Sequence, residues 1–201
     1  MWKVQNGTTS RSVCDASPVS VIWVTGNSGA GKSTVCELLK RHGHDAVDAD
    51  WEGYNHWVDR TTDRIVVSPP YPAPRGWLHR FGWKIDRARV EALAARAAGK
   101  TVFLCGSVEN EDEVRDLFDL MICLVVDDET VATRLASRTT NAFGQHPEEL
   151  AAALDDNVIT ESTYRRLGAT IIDGTQAPEA VVEEVLAAAS AVQRERRAAD
   201  N

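Results

Sequence analysis

Eight consecutive residues, Gly26-Asn27-Ser28-Gly29-Ala30-Gly31-Lys32-Ser33, fit the pattern G-x-x-x-x-G-K-[ST] at every position. A loop that wraps a phosphate has to aim successive backbone N–H groups at one anion, and glycines at 26, 29 and 31 accept the dihedral angles this demands. Lys32 brings a cation to the β- and γ-phosphates, Ser33 offers a hydroxyl to Mg²⁺, and Thr34 continues into a helix whose positive end adds to the site. Residues 26–34 are therefore expected to bind the phosphates of a nucleotide. A glycine turn that merely joins two elements would not need the lysine and the hydroxyl behind it.

Asp48 and Asp50 make a second candidate constellation. They stand two residues apart where a short strand ends, at the edge where open α/β sheets bind ligands. Phosphoryl transfer needs a metal site and a group that orients the attacking hydroxyl. Asp48 is the candidate for Mg²⁺, directly or through water, and Asp50 for the acceptor hydroxyl. The alternative is that one of the two caps the helix that follows.

These groups must be positioned by the segments around them. Val19–Thr25 is a continuous apolar run of the kind a central parallel strand shows, and Lys32 to about His42 has the period of an amphipathic helix. Further strands are expected at Asp45–Val47, Thr101–Cys105, Leu120–Val126 and Ala169–Ile172. Helices are expected at Ile85–Ala98, Glu109–Arg115, from Asp127 or Asp128 through Arg138, at Glu148–Leu167 and from Pro178 to Val192. In the penultimate helix Leu150, Leu154 and Val158 recur at a spacing of four. Strands alternating with helices predict one α/β domain over 18–193, a parallel sheet covered on both faces. Residues 1–17 read as a flexible N-terminal extension and 194–201 as a frayed tail.

Residues 51–83 differ in character. They hold four of the six tryptophans, and prolines at 69, 70, 72 and 74 exclude a long regular helix. The aromatic residues could form a small cluster beneath a long loop or line a pocket for an acceptor. Arg60, Arg64, Arg75, His79, Arg80 and Lys84 interleave with them, which leaves an anionic acceptor open.

The net charge of −8 argues against a broad nucleic-acid surface. No apolar run is long enough to span a membrane, and the scattered cysteines Cys14, Cys36, Cys105 and Cys123 read as reduced core residues. A cytoplasmic protein is expected, with no nucleic-acid or membrane partner; no feature of the sequence sets an oligomeric state.

With GNSGAGKS followed by Asp48-Ala49-Asp50, residues 19–188 resemble the nucleoside-monophosphate-kinase-like branch of P-loop proteins, and within it the shikimate and gluconate kinases. The resemblance implies a P-loop NTPase fold, a three-layer αβα sandwich on a five-stranded parallel sheet of order 2-3-1-4-5. It implies ATP and Mg²⁺, and a small-molecule phosphoryl acceptor. In shikimate kinases the first aspartate of a D-x-D pair lies near the metal and the second at the substrate hydroxyl, as Asp48 and Asp50 match. Cys105-Gly106-Ser107 corresponds to the glycines that approach the substrate. Arg134 and Arg138 resemble the arginines of a lid, here 134–147, that closes over the phosphates, although pairing with Glu129 and neighbouring acids is the ordinary reading of such residues. Asp173, Gly174 and Thr175 correspond to the segment bordering the adenine. The chain departs from shikimate kinases in lacking their arginine-rich substrate segment after Asp50 and in carrying Asn141-Ala142-Phe143-Gly144 in the lid. The expected activity is a phosphotransferase with Lys32, Asp50, Arg134 and Arg138 as catalytic groups and an insert at 51–83 that chooses the acceptor. A nucleoside or nucleotide kinase, and a nucleotide-dependent switch without an acceptor, are the rivals.

Overall fold

The structure, a computed structural model, describes residues 20–97 and 99–199; the expected N-terminal extension at 1–17 lies outside them. In chain order the elements are β1 (Ser20–Gly26), α1 (Lys32–Arg41), β2 (Asp45–Asp48), β3 (Asn55–Asp59), β4 (Arg64–Ile65), α2 (Trp77–Arg80), β5 (Phe81–Ile85) and α3 (Arg87–Arg96). They continue with β6 (Thr101–Cys105), α4 (Glu111–Val114), a 3₁₀ turn (Arg115–Leu117), β7 (Leu120–Val125), α5 (Asp128–Ser137), α6 (Pro147–Arg166), β8 (Thr170–Asp173) and α7 (Pro178–Ala199).

Every residue of β1 is buried, because this strand lies at the centre of a parallel sheet with helices on both faces. The sheet order is β2-β6-β1-β7-β8, all parallel, which is the 2-3-1-4-5 order implied by the resemblance. On one face Ile22, Val24, Phe103 and Ile122 pack with Leu39 of α1 and Val185 of α7. On the other, Val21, Trp23, Leu104 and Met121 pack with Val90 of α3 and Phe118. The Trp23 indole stacks on Phe118 with centroids 4.8 Å apart and donates to the Gly106 carbonyl oxygen at 2.8 Å. Cys105 pairs in register with Val24 of β1 and with Asp48 of β2, so the segments after β1, β2 and β6 leave the sheet side by side. That register brings the glycine loop, the aspartates and Ser107 to one edge.

Several expectations need correcting. Part of 51–83 is regular: β4-β3-β5 form a three-stranded antiparallel sheet, with Trp57 opposite Trp83. Ile85 ends β5 opposite Asn55 rather than starting a helix; α3 begins at Arg87 because the Asp86 carboxylate accepts from the N–H groups of Ala88 and Arg89. In α6 Leu150 and Leu154 are partly buried against Val131, Leu135 and Ala153, as the spacing of four implied, whereas Val158 is exposed and the fully buried positions are Glu149, Ala153, Thr160 and Tyr164. α7 continues to Ala199, through most of the expected frayed tail, and Arg196 near its end bonds to Asp119.

Candidate active site

The phosphate loop is held from three sides. Gly26, Gly29 and Gly31 all have positive φ (137°, 85° and 104°), which L side chains rarely adopt. A Cβ at Gly26 would stand 2.4 Å from the Leu124 carbonyl oxygen of β7. Gly26→Ala is expected to cost about 1–3 kcal/mol of stability from the strained dihedral alone, with the close approach adding to it. Urea unfolding measures this, and a variant as stable as the wild type would mean the loop is built differently.

Asn27 anchors the loop to α6. Its Nδ2 donates to the Ala153 carbonyl oxygen at 2.6 Å and to Asn157 Oδ1 at 3.2 Å, while its Oδ1 accepts from the Ser28 N–H at 2.7 Å. Asn157 in turn donates to the Val126 carbonyl oxygen and to Asp128. Arg134, on α5, donates to the carbonyl oxygens of Gly29 at 3.1 Å, Ala30 at 3.3 Å and Gly174 at 2.9 Å. It therefore joins the loop to the segment after β8, where Thr175 donates to Asp173 Oδ1 through both its N–H and its hydroxyl.

Lys32 is buried and its ammonium donates to the carbonyl oxygens of Gly26 at 2.8 Å and Asn27 at 2.9 Å. Burial holds its pKa below the usual lysine value, with Asp50 and Asp48 opposing that shift and Arg138 adding to it. The guanidinium of Arg138 is likewise held below its usual pKa by burial, against the pull of Asp50 and Glu149. Two cations and the aspartates thus share one field.

Arg138 does not share a helical face with Arg134. α5 ends at Ser137, and Arg138 has an extended backbone with ψ 144°. The turn this makes sends its side chain back to the Phe143 carbonyl oxygen, and its Nε is buried without a hydrogen-bond partner. The same turn is braced by Glu149, 2% exposed, whose Oε2 accepts from the Gly144 N–H at 2.9 Å. Glu149 Oε1 reaches the Ala73 N–H at 3.4 Å, and the Tyr71 hydroxyl reaches the Ala142 carbonyl oxygen at 3.4 Å. A proline-rich strap from 71–75 therefore lies on the turn at 142–144 and the first turn of α6.

Asp48 and Asp50 have separate duties. Asp48 Oδ1 accepts from the N–H groups of Asp50 at 3.1 Å and Trp51 at 3.3 Å, so it does cap the following turn. Asp50 Oδ1 accepts from Asn55 Nδ2 at 2.7 Å and from the Trp83 indole at 3.0 Å. Asn55 did not stand out in the sequence, and Trp83 did so only as one of the four tryptophans of 51–83 that could line a pocket. In FGWKI the residues Phe81, Trp83 and Ile85 alternate with Gly82 and Lys84, which was the signal for the strand that carries Trp83; NHWVD offers no such alternation.

A cavity of about 400 Å³ collects these parts. The loop from Ser28 to Thr34 forms one wall, Asp50, Trp51 and Ser107 another, and Arg134, Arg138 and Asn141 the lid side; Gly174, Gln176 and Pro178 close the far end. Of the expected residues, Ser28 to Thr34, Asp50, Arg134, Arg138 and Gly174 line this cavity; Gly26 and Asn27 lie outside it, their carbonyl oxygens bonded by Lys32, Asp48 lies behind the wall in electrostatic contact with Lys32, and Asp173 and Thr175 flank Gly174.

Comparison with known proteins identifies the family and the fold. The family profile described as an AAA domain matches residues 22–155. Shikimate kinase 2 of Pectobacterium carotovorum subsp. carotovorum (strain PC1) is 32% identical over 176 residues, spanning 83% of this chain and 94% of that protein. Shikimate kinase 2 of Yersinia pestis (strain Pestoides F) is 29% identical over 177 residues, spanning 82% and 92%. A gluconokinase from Sinorhizobium meliloti 1021 shares the fold with a TM-score of 0.54 at 21% identity, over 92% of this chain and 98% of that one. Shikimate kinase from Acinetobacter baumannii in complex with shikimate does so with a TM-score of 0.54 at 19% identity, over 84% and 91%. With the matched profile covering the phosphate loop, the aspartates and the lid arginines, the chain belongs to the P-loop small-molecule kinases of the nucleoside-monophosphate-kinase-like group, ATP-dependent enzymes.

Proposed function

We propose that the enzyme transfers the γ-phosphoryl group of ATP to a hydroxyl oxygen held at Asp50. The observation that carries this reading is the position of that carboxylate: it lines the cavity opposite the phosphate loop, with Oδ1 fixed by Asn55 and Trp83. Oδ2 is then the oxygen that takes the proton of the acceptor. The acceptor oxygen forms a bond to the γ-phosphorus as the bond to the bridging oxygen of the departing ADP breaks, and the acceptor proton passes to Asp50. Little covalent work falls to the protein; positioning and charge carry the reaction.

The residues fit a magnesium ion. It is a hard cation that keeps several waters and takes only one or two protein ligands. The hydroxyl of Ser33 would supply such an oxygen on the cavity wall, and the Oδ2 of Asp48, behind that wall, would act through one of the ion's waters, since Asp48 uses its Oδ1 on the turn. When bound, the ion neutralises charge on the β- and γ-phosphates. Lys32 leaves its loop carbonyls for the phosphates, and Arg138 faces the transferred group from the lid. Arg134 remains between the loop and Gly174, on the side where Asp173, Gly174 and Thr175 border the base.

ADP release from ATP and Mg²⁺ against a panel of hydroxylated acceptors tests the reading. A stimulation by one acceptor, with its mass raised by one phosphate, is expected. ATP binding that depends on Lys32 without stimulation by any acceptor would instead make the protein a nucleotide switch.

A further inference from the structure

One face of α6 serves both halves of the site. Glu149, Ala153 and Asn157 recur at a spacing of four and therefore share that face. Towards the middle of the helix the Ala153 carbonyl oxygen and Asn157 Oδ1 accept from Asn27 of the phosphate loop at 2.6 and 3.2 Å. Two turns nearer the N-terminus, about 12 Å along the axis from Asn157, Glu149 Oε2 accepts from the Gly144 N–H at 2.9 Å. One rigid element thus holds the loop and the turn that follows Arg138.

A carboxylate is costly to bury, and Glu149 is 2% exposed with no ion pair among the described residues. The helix dipole favours acids in a first turn, but Glu148 meets that preference from the surface. What burial at 149 adds is a grip on the chain outside the helix: the N–H groups of Gly144 and, at 3.4 Å, Ala73. The turn so held is closely packed. A Cβ at Gly144 would stand 2.7 Å from Leu135 of α5, and Phe143 packs against the cluster that joins α5 to α6. This fixes the Phe143 carbonyl oxygen, which accepts from Arg138 Nη2. The guanidinium lines the cavity with its Nε buried and unpaired, and Glu149 is one of the two carboxylates whose charge reaches it.

We infer that Glu149 is a positioning residue for phosphoryl transfer: through the turn at 143–144 it aims Arg138 at the γ-phosphate, from a helix that also grips the phosphate loop. The inference rests on the role given to Arg138 above and adds the residue that sets it.

Adenylyl imidodiphosphate, an ATP analogue with a nitrogen in the bond to be broken, exceeds ADP by the γ-phosphate group. The ratio of the two affinities, measured by calorimetry with Mg²⁺, reads the hold on that group without turnover. Arg138→Ala is expected to lower the preference for the analogue by at least about tenfold and Glu149→Gln by about threefold, the scales of a charged and a single ordinary hydrogen bond. The sign is decisive. Removing a negative charge near the phosphates would raise the ratio through the field alone, whereas a misaimed Arg138 lowers it. In the Arg138→Ala background Glu149→Gln is expected to cause no further fall. Should Glu149→Gln fail to fold, Glu149→Asp keeps the charge on a shorter side chain and is expected to lower the ratio likewise. A ratio unchanged or raised by the Glu149 variant, or a further fall in the double variant, would overturn the inference and leave Arg138 at the γ-phosphate. A ratio indifferent to Arg138→Ala would remove Arg138 from the phosphates and the inference with it.

Discussion

Lys32→Ala is expected to lower kcat by on the order of 10³-fold, the loss that follows removal of one preorganised group facing transition-state charge. In the free enzyme the ammonium bonds the carbonyl oxygens of Gly26 and Asn27 inside a buried site. Alanine cannot supply the charge, and the two carbonyls lose their donor. ATP affinity falls as well, so the upward shift of Tm by ATP should largely vanish. The pH dependence has a defined sign. Burial, more than any neighbour, holds the Lys32 pKa below 10.5 in the free protein. Phosphate favours the charged form, so ATP binding takes up a proton in the alkaline range. Affinity is therefore full at neutral pH and falls as pH rises through the lowered pKa, below the range of an exposed lysine. Calorimetry in buffers of different ionisation enthalpy measures the proton uptake; affinity constant up to pH 10.5 would exclude Lys32 from the phosphate site.

The second large effect is at Asp50. Asp50→Asn keeps an oxygen for Asn55 Nδ2 and the Trp83 indole, so the wall of the cavity should persist. What is lost is the proton acceptor, a contribution of about 10²–10⁴-fold in kcat. The negative charge that offsets Lys32 and Arg138 is lost too, so ATP should bind the variant at least as tightly as the wild type. Steady-state kinetics with a productive acceptor and a separate ATP titration distinguish the two effects. Full turnover in the variant would assign the proton transfer elsewhere and leave Asp50 a structural anchor.

The parallel sheet and its glycine loop were legible because each is specified locally. Thr101–Cys105 is the strand expected, β1 runs one residue further to Gly26 and β7 ends one residue earlier at Val125, since buried strands read as unbroken apolar runs. The loop needs no partner to be recognised, because its glycines, lysine and serine lie within eight residues. The acceptor wall was hidden for the opposite reason. Asn55 and Trp83 meet Asp50 only through antiparallel pairing of short, half-exposed strands whose polar residues fall on both faces. The place of Arg138 was hidden because nothing in Ser137-Arg138-Thr139 marks the helix end: no glycine or proline stands there, and the turn is made by contacts with Phe143 and Glu149. The stripe on α6 held at Leu150 and Leu154 and failed at Val158, because this helix also buries a carboxylate and a tyrosine hydroxyl: Glu149 braces the turn at Gly144, and Tyr164 bonds Thr25 and Glu111.

The strap between 71–75 and the lid carries a thermodynamic obligation. Glu149 is bonded to both, and its neighbour Glu148 stands 3.8 Å from Arg75, so the stretch of chain leading to the aromatic ribbon and the turn that aims Arg138 share one support. The two contacts of the strap, at 3.4 and 3.8 Å, are long and individually weak, and the expected outcome is that nucleotide and acceptor affinities are coupled through them. Whatever factor ATP adds to the affinity for the acceptor, the acceptor must return to ATP. A change of acceptor preference made by altering residues 71–75 will therefore be felt at the opposite end of the cavity, as a change in how tightly the nucleotide is held.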